Sequence, residues 1–96
     1  MEFCVQKFGG SSLRSAAVRS QAAHKVIEKA QSGVHPVVVV SAMGRSGDVF
    51  ATDSLIDLVK LANPDPSPQN LDLLLSCGEI ISAVILAETI RQMGYQ

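Results

Sequence analysis

Apolar and polar residues alternate from Phe3 to Phe8, which is the period-two pattern of a strand. Phe3, Val5 and Lys7 fall on one face, and Cys4, Gln6 and Phe8 on the other. Gly9-Gly10 ends the segment and Ser11-Ser12 follows. From about Ser15 to Gln31 the period lengthens to that of a helix. Ala16, Ala22, Ala23, Val26, Ile27 and Ala30 share one broad sector, while Gln21, Lys25, Glu28 and Lys29 lie mostly outside it. Gly33 supplies the stop. Val37-Val38-Val39-Val40, set between Pro36 and Ser41, does not alternate. Four β-branched residues in a row predict a central strand buried on both faces, as in parallel sheets. Strand, glycine turn, helix and strand make a right-handed βαβ unit, so the expected fold class is α/β.

Beyond the valine strand, Gly44 to Ala51 reads as a loop. A short helix follows, capped by Thr52 or Asp53, with Leu55, Ile56, Leu58, Val59 and Leu61 as its apolar content. Asn63-Pro64-Asp65-Pro66-Ser67-Pro68 is too proline-dense for regular structure. Ser67 can cap another helix with Pro68 in its first turn, continued by Leu71 to Leu75. A last helix is expected from Glu79 to Met93, stopped by Gly94. Two strands cannot cover that many apolar helices. Residues 1–96 are therefore expected to be an incomplete portion of a larger domain.

Composition narrows the function classes. Hydrophobic residues make up 47% of the chain and charged ones 18%, the balance of a sequence that buries a core rather than of a disordered one. The formal net charge is -1 and the basic residues are dispersed, which leaves nothing to hold a nucleic-acid backbone. Cys4 and Cys77 have no CxxC partner, and no histidine stands at metal-ligand spacing. The N-terminus lacks the basic and apolar regions of a signal peptide. The most apolar stretch, Leu71 to Ala87, is interrupted by Asp72, Ser76, Glu79 and Ser82, so no membrane span is expected. A reducing cytoplasm is the expected setting.

Four places can carry chemistry. Lys7-Phe8-Gly9-Gly10-Ser11-Ser12 lies between a strand and a helix. Successive glycines let several N–H groups point at one spot, hydroxyls add donors, and the helix start adds a positive dipole end. Lys7 sits at the carboxyl end of its strand, where open α/β sheets bind ligands. These parts suit a phosphate chain, although a tight turn with a surface lysine would look the same. The segment is neither a Walker A loop nor a GxGxxG dinucleotide loop. Ser41-Ala42-Met43-Gly44 ends the parallel valine strand and belongs at the same sheet edge, as a ligand-facing turn or an ordinary loop start. Glu79, set among Leu73-Leu74-Leu75-Ser76-Cys77-Gly78 and Ile80-Ile81, would need a partner if buried, such as a substrate ammonium. At a helix start it could equally be a solvent-facing cap. Thr52-Asp53-Ser54 could bind a polar substrate or cap a helix. Arg45 and Asp48 sit in a flexible loop that could close over a ligand, with surface solvation as the default, and His24 is expected to be solvated. His35 has no evident acidic partner, and the cysteines read as buried fillers.

The stretches Val5-Gln6-Lys7-Phe8-Gly9-Gly10-Ser11-Ser12, Val38-Val39-Val40-Ser41-Ala42-Met43-Gly44 and Leu75-Ser76-Cys77-Gly78-Glu79 resemble, in this order, the N-terminal region of the aspartokinases of the amino-acid kinase family. The resemblance runs over essentially all 96 residues. It implies a three-layer αβα fold with a mainly parallel sheet. It also implies ATP, with Mg²⁺ carried on its phosphates, and L-aspartate as the acceptor. Lys7, Phe8, Gly9, Gly10 and Ser11 would then form the ATP phosphate site, with Lys7 catalytic. Ser41 would stand beside the transferred phosphoryl group, and Thr52 and Glu79 would hold aspartate. Ser11 stands where the family commonly has threonine, and Arg45 to Ala51 form a longer loop than in the shortest members. The loop is similar to that of the monofunctional enzymes feeding diaminopimelate and lysine synthesis. The nucleotide-base half and the regulatory domains would lie outside these residues. The chain alone is thus expected to be inactive, and its exposed sheet edge favours a homo-oligomer. A kinase of acetylglutamate or carbamate type and a non-catalytic binding or scaffold fragment are the alternatives.

Overall fold

The computed structural model describes residues 1–95. The chain runs β1 (Phe3–Phe8), a 3-10 turn (Gly10–Leu13), α1 (Ala16–Gln31), β2 (His35–Val40), α2 (Thr52–Ala62) and α3 (Pro68–Gln92). β1 and β2 pair in parallel, with Phe3 opposite His35 and Phe8 opposite Val40, so both strands end at the same sheet edge. The βαβ reading of the sequence is the arrangement found.

Local chemistry sets the boundaries. The Ser15 hydroxyl accepts the Val18 N–H at 3.3 Å and opens α1, while Gly33, at φ +92°, turns the chain out of it. The Ser67 hydroxyl accepts the Asn70 N–H at 3.2 Å, with Pro68 in the first turn of α3. β2 starts two residues earlier than its valine run, at His35. Pro36 is tolerated inside it because β2 is an edge strand. The His35 N–H donates to Glu2 at 2.8 Å, so the next residue's missing N–H falls on the open side.

One face of the sheet is covered. Phe8, Leu13, Ala22, Ala23, Val26 and Leu86 form the core between sheet, α1 and α3, joined by the half-buried Val38, Val40 and Met43. Ala16, expected in the buried sector of α1, is exposed. The other face is bare: Phe3 and Val5 are 66% and 69% exposed, and Val37 and Val39 lie beside them at 44% and 43%. The valine strand is therefore buried on one face and not on two. All the helices that pack on this sheet lie on the side of Cys4, Gln6 and Phe8.

α3 corrects a second expectation. The two helices foreseen over Ser67–Leu75 and Glu79–Met93 are one uninterrupted helix of 25 residues. Ser76, Ser82 and Thr89 donate their hydroxyls to the carbonyls of Leu73, Gly78 and Ile85 at 2.7, 3.2 and 2.8 Å, so these polar residues are satisfied without breaking it. Gly78 costs a helix about 1 kcal/mol relative to alanine, which tertiary packing can override. The fused helix is long and apolar enough, by length and composition, to cross a membrane. Here it packs against α1 and α2 and buries Gly78, Ser82 and Leu86.

Candidate phosphate-binding site

The carboxyl edge of the two strands brings together the first two sequence motifs. Phe8, the last residue of β1, is buried and anchors the loop that follows. Gly9 precedes the 3-10 turn, which ends in Leu13, a side chain with no solvent exposure. Two buried apolar anchors thus flank Gly9 to Ser12 and hold that backbone at the surface. Lys7 projects from the opposite face to Phe8 and is exposed. Ser41 follows directly after β2, half-buried, with its N–H donating to the Phe8 carbonyl at 3.2 Å.

The two loops are in direct contact, and glycine makes that possible. The Gly44 N–H donates to the Gly10 carbonyl at 2.9 Å. A Cβ added at Gly10 would lie 2.6 Å from the Ala42 carbonyl oxygen and closer still to that of Gly44. Gly44 itself has φ +99°, and its own Cβ would strike the Asp48 side chain at 2.6 Å. At Gly9, by contrast, an added Cβ would meet nothing within 4 Å, and the residue is exposed.

Asp48 organises the loop after Gly44. Its Oδ2 accepts the Arg45 N–H at 2.9 Å, and the Arg14 guanidinium forks onto it, Nε to Oδ2 at 2.7 Å and Nη2 to Oδ1 at 3.2 Å. The Arg45 N–H and then the Arg14 guanidinium hold its carboxyl below the usual carboxylate range, against a smaller opposing effect of desolvation. Arg45 Nε donates to Ser11 Oγ at 3.1 Å, and Ser54 Oγ donates to the Asp48 carbonyl. Arg45 and Asp48, with surface solvation as their expected default, instead tie this loop to the glycine loop. Sequence gave no signal for the tie, because its partners lie 34 residues apart.

Thr52 and Glu79 stand elsewhere. Thr52 is the first residue of α2 and is exposed. Neither Thr52 nor Asp53 caps that helix: Ala51 occupies the cap position and no side chain bonds there. Asp53 still lies in the first turn, where a carboxylate favours the helix dipole. Glu79 is in the middle of α3, not at a helix start, and is exposed. The dipole argument and the buried-charge argument therefore both fail for it. The neighbouring Gly78 is buried. Its added Cβ would lie 3.0 Å from Ala42 Cβ and 3.1 Å from Leu55 Cδ1. Gly78 thus lets α3 approach the Ala42 loop and α2 closely.

A concavity of about 760 Å³ lies at the opposite end of β2, lined by Val26, Val34, Pro36, Val38 and Ile90 among others. It is mainly apolar and holds none of the candidate site residues. A smaller cleft of about 170 Å³ lies beside the glycine loop, between Phe8, Ser11, Ser12 and Lys25. Open N–H groups and hydroxyls at a strand-to-helix turn are what a phosphate needs, so the chemistry points to the loop and not to the larger hollow.

Comparison with known proteins agrees with this geometry. The chain is 46% identical over 94 residues to aspartokinase 1 of Bacillus subtilis, covering 98% of this chain and 23% of that protein. It is 43% identical over 96 residues to the aspartokinase of Geobacillus stearothermophilus, covering 100% of this chain and 22% of that one. The crystal structure of aspartate kinase from Synechocystis superposes with a TM-score of 0.85 at 37% identity, over 95% of this chain and 15% of that one. The chain thus spans less than a quarter of the length of these relatives. The profile of the amino acid kinase family matches residues 2–96, and with the parallel βαβ core and the glycine loop in place, this chain belongs to the amino acid kinase family.

Proposed function

We propose that this chain is the N-terminal portion of the catalytic domain of an aspartokinase, which transfers the γ-phosphoryl group of ATP to the side-chain carboxylate of L-aspartate. The observation that carries the reading is the junction of the two loops. The Gly44 N–H to Gly10 bond and the bare backbone at Gly9 leave a fixed, open row of donors at the carboxyl edge of a parallel sheet.

In this reading Gly9, Gly10 and Ser11 cradle ATP phosphates through N–H and hydroxyl donors, Phe8 anchors the cradle, and Lys7 neutralises charge on the moving phosphoryl group. Ser41 stands beside the transfer site. Glu79, exposed and free of any ion pair among the described residues, accepts the α-ammonium of aspartate, and Thr52 donates to one of its carboxylates. Mg²⁺ would be carried on the phosphate oxygens of ATP. The chemistry needs no general base. An aspartate side chain, with an unperturbed pKa near ~3.9, is already ionised at neutral pH. Its oxygen attacks the γ-phosphorus, the bond to the β,γ-bridging oxygen breaks, and ADP leaves with that electron pair. Both cysteines are free, in keeping with a cytoplasmic enzyme.

The test is a chimera in which residues 1–96 replace the equivalent segment of Bacillus subtilis aspartokinase 1. Acyl phosphate is trapped with hydroxylamine in the presence of ATP and Mg²⁺. Hydroxamate that depends on L-aspartate is expected, with Lys7→Ala lowering kcat and Glu79→Gln raising the KM for aspartate. A folded chimera without hydroxamate, beside an active Bacillus enzyme, would sink the proposal. Hydroxamate formed from acetylglutamate instead would shift the acceptor, because an acylated amine leaves Glu79 without its cation.

A further inference from the structure

The glycine loop is flanked by cations, and neither Lys7 nor Arg45 forms an ion pair among the described residues. Two arginines stand beside this loop, and they are used differently. Arg14 is spent on Asp48, in the forked pair at 2.7 and 3.2 Å. Asp48 also takes the Arg45 N–H on Oδ2, while its own N–H donates to the Arg45 carbonyl at 2.9 Å. That pair of bonds locks the turn from Arg45 to Asp48.

The turn presents Arg45 to the glycine loop. Arg45 forms no ion pair among the described residues, and its one side-chain hydrogen bond is from Nε to Ser11 Oγ at 3.1 Å. A guanidinium carries five N–H donors in a rigid plane, so the Nη groups remain available. The surroundings have the same sign. The backbone donors from Gly9 to Ser11 contribute partial positive charge, and Lys7 is nearby in the same motif. A cation held against such a loop by a neutral hydroxyl is stabilised most by an anion that bridges both.

We propose that Arg45 is a phosphate-contacting residue of this site, clipped to Ser11 and locked by Asp48 so that its Nη donors reach the polyphosphate lying on the glycine loop. This rests on reading the loop as the phosphate site of a nucleotide kinase. Arginine suits the task because its planar fork matches two phosphate oxygens at once.

The chimera carrying residues 1–96 in Bacillus subtilis aspartokinase 1 is titrated with inorganic tripolyphosphate, and NMR follows the Arg45 Nε–Hε resonance and the Gly9 and Gly10 amides. The expected result is that all three shift on one saturation curve. Arg45→Gln, an exposed substitution, is expected to weaken binding by about tenfold, the loss typical of one charge-assisted contact, with Arg45→Lys between it and the parent. Glycine-loop amides that saturate with the same affinity in Arg45→Gln would remove Arg45 from the site and leave the phosphate reading standing. Glycine-loop amides that do not respond in the parent chimera would overturn both.

Discussion

Replacing Gly10 by alanine probes the junction on which the site depends. The backbone at Gly10 has no left-handed φ, so the penalty is steric and not conformational. The new methyl would lie 2.6 Å from the Ala42 carbonyl oxygen, where an ordinary contact begins at 3.4 Å, so the loops must part by 3.4 − 2.6 = 0.8 Å or more. Overpacking of this kind costs about 1–3 kcal/mol. Separation of that size also stretches the 2.9 Å bond from the Gly44 N–H to Gly10, worth about 1 kcal/mol. The sum is about 2–4 kcal/mol, which for a domain near 100 residues lowers Tm by roughly 8 °C or more. Gly9→Ala is the matched control, because its methyl meets nothing and its φ of -77° suits alanine. It is expected to change stability by less than about 0.5 kcal/mol. Thermal and urea denaturation of the two variants, side by side, decide the matter. Equal losses at the two positions would refute the close-approach argument. Gly9→Ala should instead weaken phosphate binding, since its methyl occupies the open side of the donor row.

Leu13→Ala removes a fully buried side chain that ends the 3-10 turn, and is expected to destabilise by about 2–5 kcal/mol in urea unfolding. For Asp48, the folded pKa lies below the unfolded value of 3.8, so its contribution is complete above that value and is lost as pH falls through the lowered folded one. The Tm difference between the parent chain and Asp48→Asn should therefore be constant at neutral pH and shrink toward zero in acid, as followed by circular dichroism. A difference that persists unchanged into acid would refute it. Gly78→Leu should force α3 away from Ala42 and Leu55, lowering Tm and shifting the Ala42 and Leu55 methyl resonances together.

What the sequence disclosed follows from the range of the interactions involved. β1, α1 and their caps are set by neighbours within a few residues, Ser15 to Val18 and Gly33 to the end of α1, so pattern and capping chemistry suffice. The glycine loop was legible for the same reason: strand, Gly-Gly and hydroxyls are contiguous. The valine run predicts two covered faces, and among the described residues helices pack on one of them. The break expected near Gly78 misled because glycine and polar residues inside an apolar run look like a stop. Here the hydroxyls fold back onto the helix's own carbonyls, and the glycine is required by a neighbour that sequence does not show.

That last case changes what the Ser76-Cys77-Gly78-Glu79 motif means. Read along the chain, Glu79 is its chemical residue and Gly78 falls between two expected helices. In three dimensions Gly78 is the residue that fits. It lies against Ala42, from the loop that also receives Gly10, and against Leu55 of α2. The three motifs are thus joined by two glycines, Gly10 touching the Ala42–Gly44 backbone from one side and Gly78 touching Ala42 from another. The groups proposed to bind ligand, Ser11, Ser41 and Glu79, sit within one residue of a joined position: Gly10, Ala42 and Gly78 respectively. A site whose groups are positioned this way depends on the small residues between its elements as much as on the charged ones that face the ligand. Substitutions at Gly10 and Gly78 should therefore move phosphate and amino-acid affinity together, whereas substitutions at Ser11 or Glu79 should move one and spare the other.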